Sequence, residues 1–499
     1  RSDELAELQG WWREVLEQGA RLVLISGESG IGKTRLVKTY VDGASSQRRA
    51  RVLRGRAYEA TPLLAYGPWS EIVATVFADL MPDEELDPES IDVRTISDLA
   101  LMAPQLAALD RELLGGPLRP ARADAGRLPE SLAALLAALT EEPGGGRTPV
   151  ILMLSDLHWA DEESLDLLEL LSPLVAELPV LIVGTVDPTN RGVEHPLLID
   201  PEAEIGMPVH RLALGPLPPV ALDEIADALV PSGDSRWLAG LLADWTGGVP
   251  LAVTELINYL WDEGVLTARE PGGWSLNSER AEACQPPADL QQLILHRFHE
   301  LPASARRLLA LAAVIGQRFD VELLRIAGDE NLAVVEACIE LMLQRWLIRQ
   351  FPRTWTHTGR ERDIVLFARG ARRGVFEFAH ESIRSSILAD VNPLRRQVMH
   401  RGVAAGLATV YAEEQESVCE ACAHHLMEGG ELARAREPLM MAAERARLAG
   451  AAPAERYYLE RWLAALERTP DGDQTPGEKE HIAERLSEIA SFRPPAPAS

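Results

Sequence analysis

Eight residues near the start of the chain, Gly27-Glu28-Ser29-Gly30-Ile31-Gly32-Lys33-Thr34, combine three glycines, an ammonium and a hydroxyl in the spacing of a phosphate-binding P-loop. Glycine tolerates backbone angles that a Cβ forbids, so the main-chain amides of such a turn can wrap a di- or triphosphate. A helix starting at its end aims its positive pole at the anion. The candidate binding residues are Gly27, Glu28, Ser29, Gly30, Ile31, Gly32 and, just after them, Arg35. Lys33 is spaced to reach the β- and γ-phosphates, and the Thr34 hydroxyl to ligate Mg²⁺. This chemistry also needs a carboxylate at the end of an adjacent strand, to hold Mg²⁺ and the attacking water on the γ-phosphate side. The apolar run Val150 to Leu154 followed by Ser155-Asp156 supplies one. Asp156 is the candidate for Mg²⁺ or its water shell and for orienting the hydrolytic water, so Lys33 and Asp156 form the candidate catalytic pair. Asp161 has a second reading, as a helix cap.

Such a site needs elements to carry it. Residues 1–215 alternate short apolar runs with helical stretches, the signature of a parallel sheet covered on both faces. Strands are predicted over Leu22 to Ser26, Arg51 to Gly55, Val150 to Ser155, Val180 to Thr185 and His210 to Leu214. A long, mostly helical insertion separates the second from the third, punctuated at Gly115-Gly116-Pro117 and from Pro143 to Gly146. After the third strand, leucines from Leu165 to Leu174 recur at helical spacing, with Asp161 at the N-cap position. From Pro216 to about Pro287 strand signals disappear and helical periodicity dominates, which predicts a helical lid. From Leu290 to about Leu388, two or three helices precede apolar runs around Trp346 to Phe351, Ile364 to Ala368 and Val375 to Phe378, an order that suits a winged helix. Beyond Arg395 the chain is Ala- and Leu-rich helix, read as the start of a helical solenoid. Arg493 to Ser499 reads as a linker. The expected fold is therefore an α/β P-loop domain with flanking helices over 1–215, a helical lid over 216–287, a winged-helix domain over 288–390, all-α TPR-like repeats over 391–490 and a tail over 491–499.

Composition narrows the function. At 499 residues the chain is too long for one core. Its formal net charge of −27, from 76 acidic and 49 basic residues, repels a polyanion over most of the surface, so direct nucleic-acid binding by this segment is not expected. One stretch departs from that balance: Arg345, Arg349, Arg353, Arg360, Arg362, Arg369, Arg372 and Arg373 stand against only Glu361 and Asp363. It is read as a solvated hairpin whose arginines pair with the acidic remainder. No apolar run approaches the ~18 residues that span a bilayer and no charged-then-apolar leader stands at the start, so a cytoplasmic protein without membrane contact is expected. Four cysteines exclude a disulfide framework. Cys419-Glu-Ala-Cys422 with His424 and His425 has the ligand types of a zinc site but lacks a second cysteine pair, and buried thiols in a helical repeat are the expected reading. Because it begins at Arg1 rather than Met, the chain is expected to be either processed or excised from a longer protein.

Together these segments resemble the STAND class of signal-transduction ATPases, in particular the bacterial branch of large LuxR-like, cyclase-linked and BTAD-linked regulators. The resemblance runs through Arg1-Ser-Asp-Glu-Leu5, Gly27 to Leu36, Asp156-Leu-His-Trp-Ala-Asp161 and Thr246-Gly-Gly-Val-Pro-Leu251. It continues through Ala312 to Gly316 with Phe319-Asp320, then Phe378-Ala-His-Glu-Ser-Ile-Arg384, Arg395-Arg396 and His400. It implies ATP or ADP with Mg²⁺ as the bound group. It also implies two binding residues from later domains: Pro250, packed on the adenine, and His380, reaching the β-phosphate of ADP. A proline ring offers a base a rigid apolar face, and an imidazole can donate to a phosphate oxygen. The plain alternatives are a loop proline and a core histidine. ADP bridging sheet, lid and winged helix would hold them closed, and ATP would bias an open, assembly-competent form. The implied output is self-association or control of an effector domain outside the chain, with protein partners taken up by the helical repeats.

Two positions depart from that pattern. Ser155-Asp156 stands where two acidic residues are common, and Thr185-Val186-Asp187-Pro188 where an arginine often follows the strand, with Arg191 nearby in sequence. Both departures remove groups that help hydrolysis, so nucleotide binding with slow turnover is expected. Two readings from other classes are an AAA-type remodelling motor, which needs rapid turnover and an arginine in trans, and a protein-binding scaffold stabilised by nucleotide without turnover.

Overall fold

The computed structural model describes residues 1–47, 50–58, 65–77, 91–103, 124–141, 146–189, 195–200, 205–230, 234–268, 273–350, 374–412, 415–468 and 477–491. Its first layer is a sheet of five parallel strands, β1 (Arg21–Ser26), β2 (Arg51–Arg56), β3 (Val150–Ser155), β4 (Val180–Val186) and β5 (Val209–Ala213). All five coincide, within a residue at each end, with the apolar runs that predicted them. β3 and β4 are apolar almost throughout because both faces of the sheet are covered. Alternate side chains point to opposite faces. Val23, Ile25, Ile151 and Val183 pack with α1 (Ser2–Gln18) and α2 (Lys33–Gln47). Leu22, Leu24, Leu152 and Ile182 pack with α3 (Gly67–Thr75), α4 (Val93–Leu99), α5 (Leu128–Thr140) and α6 (Glu162–Val175).

The strand order is β2-β3-β4-β1-β5. β1 pairs with β4, Leu22 opposite Ile182, and with β5, Leu22 opposite Val209. This corrects the expectation that Asp156 ends a strand adjacent to the P-loop strand: β4 lies between them, and β4 runs into Asp187. Since all strands are parallel, the P-loop, Asp156 and Asp187 still emerge at one edge of the sheet, where ligands of open α/β sheets bind.

The next unit contains α7 (Pro219–Leu229), α8 (Ser235–Thr246) and α9 (Pro250–Asp262), and then an antiparallel pair, β6 (Leu266–Ala268) and β7 (Trp274–Leu276). No strand was expected there. Three residues are too few for alternation to show in a sequence, although Pro271-Gly272-Gly273 carried a turn signal. Helices α10 (Leu290–His299) and α11 (Ala303–Ile315) lead into β8 (Arg318–Asp320), another unexpected three-residue strand, then α12 (Val321–Ala327) and α13 (Leu332–Gln344). β8 joins β9 (Ile348–Gln350) and β10 (Val375–Phe378) in an antiparallel sheet with β10 at its centre. Arg345 pairs with Asp262 at 3.1 Å and Arg349 with Glu377 at 2.7 Å, as expected of arginines in an acidic chain. The remaining arginines of that stretch, the run Ile364 to Ala368, Arg191, Gly115-Gly116-Pro117, Pro143 to Gly145 and the tail Arg493 to Ser499 lie outside the described residues.

The C-terminal helices are α14 (Glu381–Asp390), α15 (Pro393–Val410), α16 (Cys419–Glu428), α17 (Leu432–Leu448), α18 (Ala452–Glu467) and α19 (Glu478–Ser491). Gly402 and Gly406 let α15 lie against α12: a Cβ on Gly402 would sit 2.8 Å from the Ala327 carbonyl oxygen, and one on Gly406 2.9 Å from Leu323 Cδ1. The core of the three-stranded unit consequently runs on into α15 through Met399, Val403 and Leu407. Small side chains, Ala435, Ala442, Ala446 and Ala454, bring α17 and α18 together around Tyr458 and Trp462. α18 then returns to the first domain, where the Ala454 amide donates to Glu163 Oε1 at 3.3 Å. Among the described residues, no helix is long and apolar enough to cross a membrane.

Candidate functional site

Gly30 and Gly32 adopt φ of 81° and 101°, the left-handed region that glycine alone enters without strain. At Gly30 there is a second reason for glycine, since a Cβ would meet Leu251 Cβ at 2.8 Å. Among the described residues, the main-chain N–H groups of Gly30, Gly32, Lys33 and Thr34 have no protein acceptor. α2 begins at Lys33, so its first amides are the ones every helix start leaves unpaired. Lys33 Nζ donates to the carbonyls of Gly27 at 2.6 Å and Glu28 at 3.0 Å. Burial lowers its pKa, opposed by Asp187, Asp156 and Glu28. Glu28, Ser29, Thr34 and Arg35 are exposed at the loop, and Ile31 is buried beneath it. Unpaired amides, a cation and an exposed hydroxyl thus converge on one concavity, a donor set that fits the phosphates of a nucleotide with Mg²⁺ at Thr34.

Asp156 follows β3 in the left-handed conformation, φ 60°, and its amide donates to Thr185 Oγ1 at 2.8 Å. Its Oδ2 lies 2.9 Å from Nε of Arg56, which ends β2. Asp187 is buried, and its Oδ1 accepts from the Thr189 amide at 3.0 Å and hydroxyl at 2.6 Å. His158 Nδ1 accepts from the Asp187 amide at 3.2 Å. Burial lowers the His158 pKa, with Asp156 and Asp187 opposing. Asp161 is a cap: it accepts from the Ser164 amide at 2.8 Å and hydroxyl at 2.7 Å, and from the amides of Tyr66 at 2.9 Å and Gly67 at 3.3 Å. Those four bonds occupy its oxygens and tie the start of α3 to the start of α6.

Both residues expected from later units lie beside the loop. The Leu251 amide donates to the Gly30 carbonyl at 3.1 Å, and a Cβ on Gly32 would be 3.9 Å from Pro250 Cγ, so the N-terminus of α9 abuts the P-loop. His380 caps α14, its Nδ1 accepting from the Ser382 amide at 3.1 Å. Ser382 Oγ is 3.4 Å from Ser29 Oγ of the loop. Burial pushes the His380 imidazole down to about 4, with Arg56 adding to the effect and Asp156 opposing it. An unfolded histidine titrates near 6.5, so between about 6.5 and 4 the unfolded chain binds more protons than the folded one. Wild-type protein is therefore expected to lose melting temperature relative to His380→Gln as pH falls through that window. A difference that stays constant from pH 7 to 4.5 would mean that His380 is not held in a neutral, buried form.

The sequence reading missed a charged seam joining the first domain to the three-stranded unit. The guanidinium groups of Arg56 and Arg318 both lie over the Tyr58 ring, 5.6 Å and 5.2 Å from its centroid. Arg318 pairs with Glu71 at 2.5 Å and with Glu377 at 3.5 Å, and Glu71 Oε2 accepts from the Arg56 amide at 3.0 Å. The available signal was Arg51, Arg54 and Arg56 within one strand of a covered sheet, where buried charges demand partners.

The sequence pattern of the AAA ATPase domain family matches residues 1–183. An uncharacterized protein of Rhizobium meliloti (strain 1021) is 27 % identical over 424 residues, which are 80 % of this chain and 36 % of that relative. Among solved structures, a Signal Transduction ATPase with Numerous Domains (STAND) protein with a tetratricopeptide repeat sensor, from Pyrococcus horikoshii, matches with a TM-score of 0.43 at 13 % identity, covering 98 % of this chain and 64 % of that one. The Aeropyrum pernix ORC2 protein, in ADPNP-ADP complexes, matches with a TM-score of 0.34 at 14 % identity, covering 81 % of this chain and 94 % of that one. The chain thus spans less than two thirds of the length of both the Rhizobium relative and the Pyrococcus protein.

Proposed function

We propose that the chain, whose residues 1–183 match the AAA ATPase domain family, is the ATP/ADP-binding module of a STAND-type molecular switch in a bacterial signal-transduction or transcriptional regulator. The observation that carries this reading is the meeting of three units at one loop. Ser29 faces Ser382 of α14, while Gly30 and Gly32 face Leu251 and Pro250 of α9. In this reading residues 216–287 act as a lid, 288–390 as a winged helix and 391–490 as TPR-like repeats that offer a surface to protein partners.

In this reading the loop amides, Lys33 and the Thr34 hydroxyl would hold the phosphates and Mg²⁺, with Pro250 serving the base and His380 the β-phosphate. Bound Mg²⁺ supplies positive charge to the transferring phosphoryl group. Asp156 is the carboxylate for the metal's water shell, and its pairing with Arg56 at 2.9 Å offsets its charge and favours slow turnover. Arg56 also borders His380 and the seam to Arg318, so a change of charge at the phosphates is felt by the side chains that join the units. Closure by ADP and release with ATP then differ in how these contacts are satisfied, which is the differential interaction a switch requires.

The test is the molar mass of the purified protein by light scattering, with ADP and with a non-hydrolysable ATP analogue. A small species with ADP and a larger assembly with the analogue are expected. Identical mass in both would remove the switch. Steady-state turnover above ~1 s⁻¹, ordinary for an enzyme, would favour a remodelling motor instead, and nucleotide that fails to exchange over hours would favour a scaffold.

A further inference from the structure

We propose that His400, His424 and His425 form a binding site for one divalent transition-metal ion of the zinc class, at the junction of α15 and α16. His400 comes from the middle of α15, and His424 and His425 are adjacent in α16. One ligand nitrogen of each ring lies within 4.8 Å of those of the other two. The ring centroids form a near-equilateral triangle, with His400 to His425 at 5.0 Å, His424 to His425 at 5.1 Å and His400 to His424 at 5.7 Å. Three imidazoles held tetrahedrally by metal–nitrogen bonds of about 2.0–2.1 Å have ligand atoms about 3.3 Å apart and centroids about 5 Å apart. The rings are therefore already near the spacing an ion imposes.

The hydrogen bonding fits the same purpose. His400 Nδ1 and His425 Nδ1 face each other at 2.8 Å, so one of the two must carry the proton between them. When an ion takes both nitrogens, the donor ring moves its proton to Nε2 and the pair opens by roughly half an ångström to reach the tetrahedral spacing. Burial keeps the rings in the neutral form that ligates metals. It pushes His400 down to about 4 and His425 well below its usual range, each helped by neighbouring histidines, and it lowers His424. His400 and His425 are buried while His424 is half-buried, which leaves one side for entry and for water as a fourth ligand. Imidazole-only ligation selects zinc-like ions over Mg²⁺ and Ca²⁺, which take oxygen donors.

Charges face the cluster from several elements. Glu428 lies close enough to His424 to favour a cation, whereas Arg461 near His424 and Arg396 near His400 disfavour one. The Arg461 guanidinium lies 4.4 Å over the Tyr457 ring, which takes up part of its field. The cysteines of this segment do not complete the set. Cys419 Sγ donates to Glu420 Oε2 at 3.3 Å and sits beside Arg445, and burial pushes the Cys422 thiol up to about 11. Since α15 shares the core of the three-stranded unit, an ion here would pin that unit to the rest of the helical repeats.

The experiment titrates the full chain, freed of metal by chelator dialysis, with Co²⁺ as a visible-absorption probe and then displaces it with Zn²⁺. One equivalent with the intense bands of tetrahedral Co²⁺ is expected. His424→Gln is expected to weaken binding at least ~10-fold, the lower end of what even outer partners of a metal site contribute, while Cys422→Ala leaves it unchanged. No stoichiometric uptake, equal affinity in His424→Gln, or loss in Cys422→Ala would overturn the site. Should His424→Gln fail to fold, imidazole NMR resonances of the wild type decide: one equivalent of Zn²⁺ must shift those of all three histidines, and unshifted resonances overturn the proposal.

Discussion

Replacing Lys33 with alanine is expected to weaken ADP binding by roughly 10- to 100-fold while leaving the melting temperature of the nucleotide-free protein nearly unchanged. Charged hydrogen bonds contribute about 1.5–3 kcal/mol each, and every 1.4 kcal/mol or so is tenfold in affinity. Lys33 is 7 % exposed and, among the described residues, its donors meet only the carbonyls of Gly27 and Glu28, so folding gains little from its charge, whose burial already lowers its pKa. A group of this kind gives back on ligation what it costs on folding. Isothermal titration calorimetry of wild type and Lys33→Ala, paired with thermal melts, separates the two quantities. Equal ADP affinity would remove Lys33 from the phosphate site. A large fall in nucleotide-free melting temperature would make it a structural residue.

Glu71→Ala should be the most damaging single change at the seam, destabilising the chain by about 3 kcal/mol, the lower part of the range for breaking one side of a buried ion pair. Glu71 accepts from the Arg56 amide with one oxygen and pairs with Arg318 through the other. Its loss removes the nearest carboxylate from a guanidinium that is only 13 % exposed. Glu377, 3.5 Å from Arg318 and already paired with Arg349, compensates in part. Glu71→Gln keeps an acceptor for the Arg56 amide and should lose less. Denaturant unfolding gives the free energies, and hydrogen exchange over β8 and β10 tells whether the three-stranded unit loosens first. A cost no larger than the ~0.5 kcal/mol of an ordinary surface substitution would mean that the seam does not hold the units together.

The expectation about Asp156 shows where local reading stops. A carboxylate after an apolar strand was legible, because a strand buried on both faces must be an apolar run and the residues at its C-terminal end must emerge at the sheet edge. Which strand neighbours β1 was not, because strand order depends on crossovers hundreds of atoms long. β4 fills that place, so Asp187, read in the sequence as the loss of an arginine, lies close enough to Lys33 to oppose the lowering of its pKa by burial. Asp161 went the other way: the cap that its sequence position allowed is what four hydrogen bonds make it.

By itself the sequence determined the P-loop, the five parallel strands and the helical character of the C-terminal half, because each depends on neighbours along the chain. Consecutive backbone angles make an anion cradle, and short periodicities make a buried strand or an amphipathic helix. Only the tertiary structure decided that Arg56 meets Asp156, that Ser382 meets Ser29, and that His400 joins His424 and His425. Those groups are brought together by packing between elements distant in sequence, where no local propensity specifies the partner and the buried charge or ring settles against whatever the fold delivers to it.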